Sequence, residues 1–410
     1  MPLSNLTIEA GLPTNSPNTL VTVVVAWGRP WTVYTDRICL LDYHEDDEAS
    51  NNEILAYNFT AAALGAEKFQ CAIGFNGFLY VGTTQPDHSA NARIIRFEPP
   101  ALFASIDGSG TTGHVLVATV EHTISTATAN EHSILNLGII SQRLHAYYQY
   151  HLTSWKWAIY AQTDHGSWTL MALDSTGGRT QVTPSTHYAE RRVLLSGGNQ
   201  AGLIAYNTAA IAGYYTKLDI NGSAAPGGST FTTSTTTGYI HIAKDVDDGW
   251  LGVDDSMLFR IEPSRGNQIM SGGSNIREID FVDLYIENYG SLTTLSPAFL
   301  SAINFYGGIP YYDHLFIGGY LTEDDGGGSF TYYDVLLYRE PDGNWVMGDK
   351  VLNTTGAALS PECYAPLCVA QMGSSTSRKP RIIAPRVNVN NFAIITPDFT
   401  GTIWTPRISL

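Results

Sequence analysis

Charged side chains are scarce in this chain of 410 residues. Asp, Glu, Lys and Arg together make up 15% of it, and only six of the 22 basic residues are lysine, whereas ordinary soluble domains carry about 25% charged residues. Much of the surface must therefore consist of Thr, Ser, Asn, Gly and Tyr. Such a surface suits packing against other proteins, because uncharged contacts avoid the cost of removing ions from water. A secreted or otherwise low-charge β-protein is the alternative.

Basic runs are also absent. The formal net charge is −16 with a sequence pI near 5.0, and the densest basic spots are Arg191-Arg192 and residues 378–381. A chain of this charge repels nucleic acid phosphates, and neither spot is large enough to offset that repulsion locally. The sequence therefore predicts no direct binding to DNA or RNA.

The chain shows neither a leader nor a membrane-spanning run. Residues 1–5 lead into polar sequence rather than into a basic segment followed by an apolar one. The apolar run of residues 20–27 is far shorter than the roughly 18 residues that suggest a transmembrane helix. Its β-branched residues are typical of a buried strand. We expect a soluble protein without a signal peptide and without membrane insertion.

Cysteine is rare as well. The four cysteines are Cys39, Cys71, Cys363 and Cys368, too few to form the framework of so long a chain. The spacing of the last two is unlike the CxxC pairs of zinc or redox sites. We expect buried free thiols, with a disulfide as the alternative.

No segment shows a sustained helical period, and the best short candidates are residues 53–69 and 296–305. Elsewhere, short runs rich in Val, Ile, Tyr, Phe and Thr alternate with clusters of Gly, Asn, Asp, Ser and Pro. This alternation is typical of strands and turns. The sequence therefore predicts an all-β chain.

A short sequence pattern recurs along the chain. It consists of an apolar run, a tight Asp- or Asn-containing turn with glycine and a neighbouring aromatic residue, and a second apolar run. The turn glycines are Gly77, Gly166, Gly249 and Gly343, which stand 89, 83 and 94 residues apart. Asn-Gly and Asp-Gly tolerate the positive φ of tight hairpins. Hairpins that recur at such intervals indicate radially repeated β-structure.

A second repeat is the ending Arg-apolar-Glu-Pro, which closes runs at Glu98 and Glu262 and, less closely matched, at Glu340. Proline cannot donate to a strand ladder, so it ends a strand at an edge.

Seven blades in 410 residues allow about 59 residues each, and a four-stranded blade needs about 40 to 45. We predict a single β-propeller domain over residues 1–410 with about seven blades, six or eight being the neighbouring counts. The N-terminal residues would form an arm or a ring-closing strand. Stacked β-sandwiches are the alternative.

One of the turns, Thr163-Asp164-His165-Gly166-Ser167-Trp168, resembles a degenerate Asp-box, the turn found in sialidase-type propellers. It departs from that pattern because Trp168 lies one residue too close to Gly166. In that family the box is structural, so the resemblance implies a propeller fold and does not locate an active site.

A glycosidase would need clustered carboxylates, and often an arginine for an anionic sugar. The sequence offers seven such side chains: Asp36, Asp280, Asp283, Glu287, Arg37, Arg143 and Arg277. No spacing selects among them, and each also fits a solvated rim or turn. We assign no catalytic residue.

Metal sites are weakly indicated. Residues 245–249, with Asp254 and Asp255 nearby, and residues 42–48 are acidic stretches that could hold calcium. Neither has the EF-hand order, and the histidines form no HExxH pair. We assign no metal and no cofactor.

Many aromatic residues lie within residues 147–168. Exposed rings there would form a binding patch, for which Tyr148, Tyr150, Trp155 and Trp157 are the candidates. Core packing between blades is the alternative, since alternation along a strand directs about half of the rings inward.

Two functional classes fit these observations. The first is a non-enzymatic structural or interaction protein of a multi-protein assembly, because the composition resembles that of tailed-phage virion proteins, as a tail, fibre or capsid-associated component. Its partners would be other structural proteins and host-surface glycan, and it would reside in the virion after assembly in the host cytoplasm. The alternative is a carbohydrate-binding or glycoside-hydrolysing propeller.

Overall fold

The computed structural model describes the following residues: 3–9, 20–42, 52–58, 67–85, 91–100, 116–124, 131–140, 143–151, 155–173, 186–189, 192–197, 202–207, 215–219, 241–244, 250–253, 257–261, 276–289, 304–324, 329–348, 351–352, 368–372, 379–386 and 391–399. Within them lie twenty-nine strands and one helix. The strands form seven antiparallel groups, which we call meanders 1 to 7.

Meander 1 contains β2 (Leu20–Ala26), β3 (Arg29–Tyr34), β4 (Arg37–Asp42) and β5 (Asn52–Asn58). Meander 2 contains β6 (Lys68–Phe75), β7 (Phe78–Gln85), β8 (Ala92–Phe97) and β9 (Ala118–Ile124). Meander 3 contains β10 (Glu131–Ile140), β11 (Arg143–His151), β12 (Trp155–Asp164) and β13 (Ser167–Leu173). Meander 4 contains β14 (Thr186–Ala189), β15 (Arg192–Gly197), β16 (Gly202–Asn207) and β17 (Tyr215–Asp219).

Meander 5 contains β18 (His241–Lys244), β19 (Trp250–Val253), β20 (Met257–Ile261) and β21 (Ile276–Asp280), and helix α1 (Phe281–Tyr289) follows it. Meander 6 contains β22 (Asn304–Tyr311), β23 (His314–Asp324), β24 (Phe330–Arg339), β25 (Trp345–Met347) and the short β26 (Val351–Leu352). Meander 7 contains β27 (Cys368–Met372), β28 (Lys379–Arg386), β29 (Asn391–Phe399) and β1 (Leu3–Glu9).

Strands pair with their chain neighbours inside each meander, with three departures. The short β26 pairs with β24 rather than with β25. β10 also pairs with β7, through His132 opposite Gln85 and Ser133 opposite Thr84, so meanders 2 and 3 form one continuous sheet. β1 pairs antiparallel with β29. Meander 7 thus takes its fourth strand from the beginning of the chain.

The first strands of the meanders contact one another in order around a closed ring. β2 contacts β6, β6 contacts β10, β10 contacts β14, β14 contacts β18, β18 contacts β22, β22 contacts β27, and β27 contacts β2. Four-stranded antiparallel sheets arranged radially in this way form a β-propeller. The predicted all-β propeller of about seven blades is therefore confirmed, and the alternative of stacked sandwiches is wrong.

Strand direction gives the ring two different faces. Every first strand begins on one side, which we call the start face, where the connections from second to third strands also lie. The opposite side, the hairpin face, carries the connections from first to second and from third to fourth strands, because strands in an antiparallel meander alternate in direction.

The hydrophobic core lies in the seams between neighbouring meanders. Between meanders 1 and 2, Trp31, Phe69 and Phe97 are buried, and Tyr57 packs edge-on against Phe97 with 4.8 Å between ring centroids. Burying one such side chain stabilises the fold by about 1.5–3 kcal/mol. Similar clusters fill the seams between meanders 2 and 3 and between meanders 7 and 1.

The repeated turns are hairpins where the structure describes them, but they do not occupy one position. Asn76 and Gly77 have φ of 47° and 78° and join the first two strands of meander 2. Gly166 and Gly343, at 76° and 94°, join third to fourth strands in meanders 3 and 6. The turn at Gly249 lies outside the described residues.

The Arg-apolar-Glu-Pro endings do share one position. Glu98 and Glu340, each the glutamate of one such ending, directly follow β8 and β24, which are the third strands of meanders 2 and 6. Glu262 lies outside the described residues, but it follows β20, the third strand of meander 5. The two described endings therefore mark the same corner of their meanders on the hairpin face.

Where the structure describes the two helix candidates, it shows strands. Residues 52–58 form β5, in which the pairing shifts between Ile38 and Cys39, so that Ala56 has no directly opposite residue. Such a β-bulge breaks the alternation of the strand, and it leaves Glu53 and Ala56 buried at a helical spacing of three. Of residues 296–305, Asn304 and Phe305 begin β22, and the others lie outside the described residues.

Helix α1 was missed because nine residues are too few to show a period. Leu284 and Tyr285 are buried, and Asp283 lies in the first turn, where a negative charge favours the helix dipole. No helix in the described part of the chain is long and apolar enough to cross a bilayer.

Three of the four cysteines lie in described strands. Cys39, Cys71 and Cys368 are free thiols there, and burial raises the pKa of Cys71 and of Cys368 to about 12. These thiols are therefore protonated at neutral pH. Cys363 lies outside the described residues.

We expect the stability of the protein to fall in mild acid partly because of His145. Burial lowers the pKa of His145 from 6.5 to about 4, and its Nδ1 lies 3.1 Å from the Arg143 carbonyl oxygen. Between those pH values the unfolded state binds a proton that the folded state does not, so stability decreases as pH falls, by at most about 1.4 kcal/mol per pH unit. Urea unfolding at pH 7, 6, 5 and 4 should show a flatter dependence for His145→Gln than for the parent. Identical slopes would contradict this assignment.

Candidate functional site

The charged residues offered by the sequence do not form one site. Arg143 lies exposed on the hairpin face. Four others lie close together in sequence: Arg277 and Asp280 in β21, whose side chains are outside the described set, and Asp283 and Glu287 exposed on α1, which follows that strand. The remaining two, Asp36 and Arg37, pair with each other on the start face, where a second acid–arginine pair also lies.

Asp36 and Arg37 lie at the turn between β3 and β4. Arg37 donates from Nε to Asp36 Oδ1 at 3.1 Å and from a terminal nitrogen to Oδ2 at 2.9 Å. This hydrogen bonding raises the pKa of Arg37. Both side chains remain partly exposed, so the pair contributes little to stability but stays accessible to a ligand.

Glu67 and Arg93 form the second pair. Glu67 precedes β6 and its side chain is fully buried, whereas the Arg93 side chain is 23% exposed. Arg93 Nε lies 3.0 Å from each Glu67 carboxylate oxygen, and an Arg93 terminal nitrogen also donates to Glu67. The Thr83 hydroxyl donates to the same carboxylate, and the Arg93 backbone N–H donates to Thr83 Oγ1 at 2.8 Å. The buried Glu67 carboxylate is thus hydrogen-bonded by several N–H donors of the Arg93 guanidinium group.

One backbone hydrogen bond joins the turn that carries the first pair to the strand beside the second pair, although Arg37 lies on the same side of β4 as Cys39, which packs between meanders 7 and 1. The Phe69 N–H donates to the Thr35 carbonyl oxygen at 2.9 Å, which joins the β3–β4 turn of meander 1 to the first strand of meander 2. Tyr57 of meander 1 faces the second pair: burial raises its pKa, while the charge of Arg93 lowers it and that of Glu67 raises it. We call Asp36, Arg37, Tyr57, Glu67, Thr83 and Arg93 the start-face cluster.

The other end of this seam is closed by backbone contact. A Cβ atom on Gly74 would lie 2.3 Å from the Val25 carbonyl oxygen, so β6 and β2 approach too closely there for any side chain. The Trp27 indole N–H donates to the Gly77 carbonyl oxygen at 2.7 Å. A ligand therefore has polar groups to meet at the start face of this seam and closely packed backbone at the hairpin face.

A separate polar network lies in the seam between meanders 2 and 3. Glu121 is buried, and its Oε1 accepts from Gln162 Nε2 at 2.9 Å and from the Gly166 N–H at 2.6 Å. Arg96 Nε lies 3.5 Å from Oε2 of the same carboxylate. Since Gly166 belongs to the Asp-box-like turn, this carboxylate anchors that turn to the neighbouring meander, a structural role as the resemblance implies.

The predicted aromatic patch divides between buried and undescribed rings. Tyr148 and Tyr150 are buried, stack on each other at 5.4 Å, and pack in the seam between meanders 2 and 3. Trp155 and Trp157 begin β12 opposite His151 and Gln149, and their side chains lie outside the described set. The patch stays a prediction that rests on the two tryptophans.

The acidic stretches proposed for calcium fall almost wholly outside the described residues, of which they include only Asp42. Within the described part of the chain, no three His, Cys, Asp or Glu side chains are grouped so that they could hold a metal ion.

Comparisons of sequence found no matching protein-family model and no matching curated protein. Among solved structures, the chain is similar to a subtype N11 neuraminidase-like protein of A/flat-faced bat/Peru/033/2010 (H18N11), at 8% identity and a TM-score of 0.43, over 83% of this chain and 95% of that one. It is also similar to an exo-1,5-alpha-L-arabinanase from a bovine ruminal metagenomic library, at 9% identity and a TM-score of 0.34, over 82% and 99%.

A third similar structure is a puromycin hydrolase, at 11% identity and a TM-score of 0.37, over 91% of this chain and 59% of that one. Because all three TM-scores are below 0.5, the propeller is assigned from the strand pairing and the closed ring of contacts.

Proposed function

We propose that the protein binds carbohydrate at the start-face cluster, at the start-face ends of meanders 1 and 2. The observation that carries this proposal is that two carboxylates pair with two partly exposed arginines on this one face of the ring. Carboxylate and guanidinium groups held in fixed planes present paired acceptors and donors. Neighbouring hydroxyl groups of a sugar offer the complementary pairs, and Tyr57 adds a half-buried ring beside them.

Binding without hydrolysis is the form of the proposal that the contacts favour. A glycosidase needs one carboxyl group able to give a proton and a second able to act as base or nucleophile. Both oxygens of Glu67 accept hydrogen bonds from Arg93, and both oxygens of Asp36 accept from Arg37. Each carboxylate is thus held in place by its arginine, and the lone pairs and N–H groups outside these bonds remain for sugar hydroxyl groups.

The test is a glycan array followed by calorimetry on each sugar that the protein retains. The double variant Asp36→Asn/Arg37→Gln removes the more exposed pair and leaves the buried one in place. We expect it to weaken binding about tenfold or more, since hydrogen bonds to charged groups contribute about 1.5–3 kcal/mol each. Its melting temperature should change little, because the pair is partly exposed.

Arg143→Gln is the matched control, because it removes an exposed arginine from the hairpin face. Equal loss of binding in the control and in the double variant would contradict a start-face site. The same sugars should be assayed for release of reducing ends. Turnover that disappears in Glu67→Gln would assign hydrolysis in place of binding.

A role within a virion, with other structural proteins as partners, stays a prediction from composition. We also propose that the whole chain forms one propeller domain, which the pairing of β1 with β29 supports.

A further inference from the structure

The hairpin between β6 and β7 places an asparagine next to a glycine at an exposed tip. Asn76 and Gly77 form the turn, and both are exposed. Of the asparagines in the described part of the chain, only Asn76 precedes a glycine. The backbone nitrogen of glycine is the least hindered that an asparagine side chain can meet, because glycine has no Cβ atom. A Cβ atom at Gly77 would meet nothing within 4 Å, so no neighbouring group shields the turn.

Neither group of this pair is held by a hydrogen bond within the described residues. The side-chain amides of two other asparagines show the contrast: that of Asn288 donates to the Leu284 carbonyl oxygen at 2.8 Å, and that of Asn344 donates to Asp342 Oδ2 at 2.8 Å. No such bond restrains the Asn76 amide or the Gly77 N–H in the part of the chain that the structure describes. The Asn76 side chain can therefore rotate until its carbonyl carbon meets the Gly77 nitrogen.

The carbonyl group of Gly77 has a structural role. It accepts from the Trp27 indole N–H at 2.7 Å, a bond that joins the first hairpins of meanders 1 and 2 on the hairpin face. Trp27 has a φ of 52°, which a bulky residue keeps only where its surroundings hold it. Its ring also packs edge-on against Trp31 with 5.3 Å between centroids. The contact between the two hairpins therefore depends on where the β6–β7 turn holds the Gly77 carbonyl.

We propose that Asn76 is a site of spontaneous modification, at which deamidation releases the contact between Trp27 and Gly77. Asparagine is among the thermolabile residues. The Gly77 backbone nitrogen attacks Cγ of Asn76 and closes a cyclic imide, and its proton leaves with the side-chain nitrogen as ammonia. Water then opens the ring at either carbonyl, which gives aspartate or isoaspartate. The net reaction consumes water and releases ammonia.

Isoaspartate changes the turn more than aspartate does. Its main chain runs through the former side chain, so an extra carbon atom separates the Cα atom of residue 76 from the Gly77 nitrogen. A two-residue hairpin loop fits only a few backbone geometries, and Phe75 opposite Phe78 fixes the strands on either side. The extra atom therefore displaces the Gly77 carbonyl from Trp27, and the new carboxylate adds a negative charge to the hairpin face.

The test ages the purified protein in mildly alkaline buffer at physiological temperature and follows each asparagine by peptide mapping with mass spectrometry. Isoaspartate is identified by its fragmentation and by methylation with an isoaspartate methyltransferase. We expect modification at Asn76 to exceed that at Asn288 and Asn344 by about tenfold or more, which requires only a small difference in activation free energy. The aged protein should melt about 2 °C or more below the fresh protein.

Two variants separate the site from its consequence. Asn76→Gly cannot form the imide, and glycine suits the φ of 47° at this position. This variant should fold as the parent does and keep its melting temperature on ageing. Trp27→Phe lacks the indole donor, so ageing should modify its Asn76 but lower its melting temperature less than that of the parent.

Three results would overturn the proposal. The first is modification of Asn76 no faster than that of Asn288 and Asn344. The second is a loss of stability on ageing in Asn76→Gly that equals the loss in the parent. The third is an equal fall in melting temperature in Trp27→Phe and in the parent, because the contact with Trp27 would then not be what is lost. None of these results depends on the start-face cluster, which lies on the opposite face.

Discussion

Deletion of residues 1–9 is expected to lower the free energy of unfolding by about 5 kcal/mol, because β1 is the fourth strand of meander 7. Six residue pairs join β1 to β29, and each lost ladder hydrogen bond removes about 1 kcal/mol. The deletion also leaves β29 as an open edge that can pair with another chain. Urea unfolding of the parent and the shortened protein measures the loss.

A synthetic peptide of residues 1–12 provides the control for this deletion. Added in excess, it should bind the open edge and restore most of the lost stability, since a ligand that binds only the folded state stabilises it by mass action. A shortened protein as stable as the parent, with no response to the peptide, would contradict the assignment of β1 to meander 7.

Gly74→Ala is expected to destabilise the protein by at least about 3 kcal/mol, the upper end of the range for overpacked sites. The new methyl group would lie 2.3 Å from the Val25 carbonyl oxygen and 3.5 Å from the Ala26 Cα atom. Both are backbone atoms, so the clash can be relieved only by moving β2 and β6 apart. Thermal and urea unfolding measure the effect.

Gly77→Ala is the matched control for that substitution. A Cβ atom there would meet nothing within 4 Å, but φ is 78°, so the cost is the strain of left-handed backbone, about 1 kcal/mol. We expect Gly74→Ala to be the more destabilising of the two. The reverse order would show that the seam between meanders 1 and 2 is looser than its closest backbone contact indicates.

The propeller architecture could be predicted because the repeated Glu-Pro strand ending depends only on the residues next to it in sequence. Proline cannot donate to a strand ladder, and the Glu-Pro endings at Glu98 and Glu340 fall at the same corner of their meanders. The glycine turns gave unequal and misleading intervals, since any tight hairpin accepts Asn-Gly or Asp-Gly. They mark first hairpins in some meanders and third hairpins in others, and no local signal distinguishes the two.

The start-face cluster was only half visible in the sequence. Asp36 and Arg37 are adjacent and are among the candidates that the sequence offers, yet nothing local separates them from the other five charged residues. Glu67 and Arg93 were missed because their contact spans 26 residues and depends on how three strands pair. A weak signal existed only for Arg93, which directly precedes the apolar pair Ile94-Ile95.

The most direct test of the closed ring is a disulfide between its ends. Thr7 and Thr396 are direct partners in β1 and β29, and directly opposed residues have Cα atoms about 4.5–5.5 Å apart, within the range a disulfide spans. The double variant Thr7→Cys/Thr396→Cys should form an intramolecular bond in the monomer, identified by mass spectrometry of unreduced peptides. Two free thiols, or cross-links only between separate chains, would contradict a ring closed by the first strand.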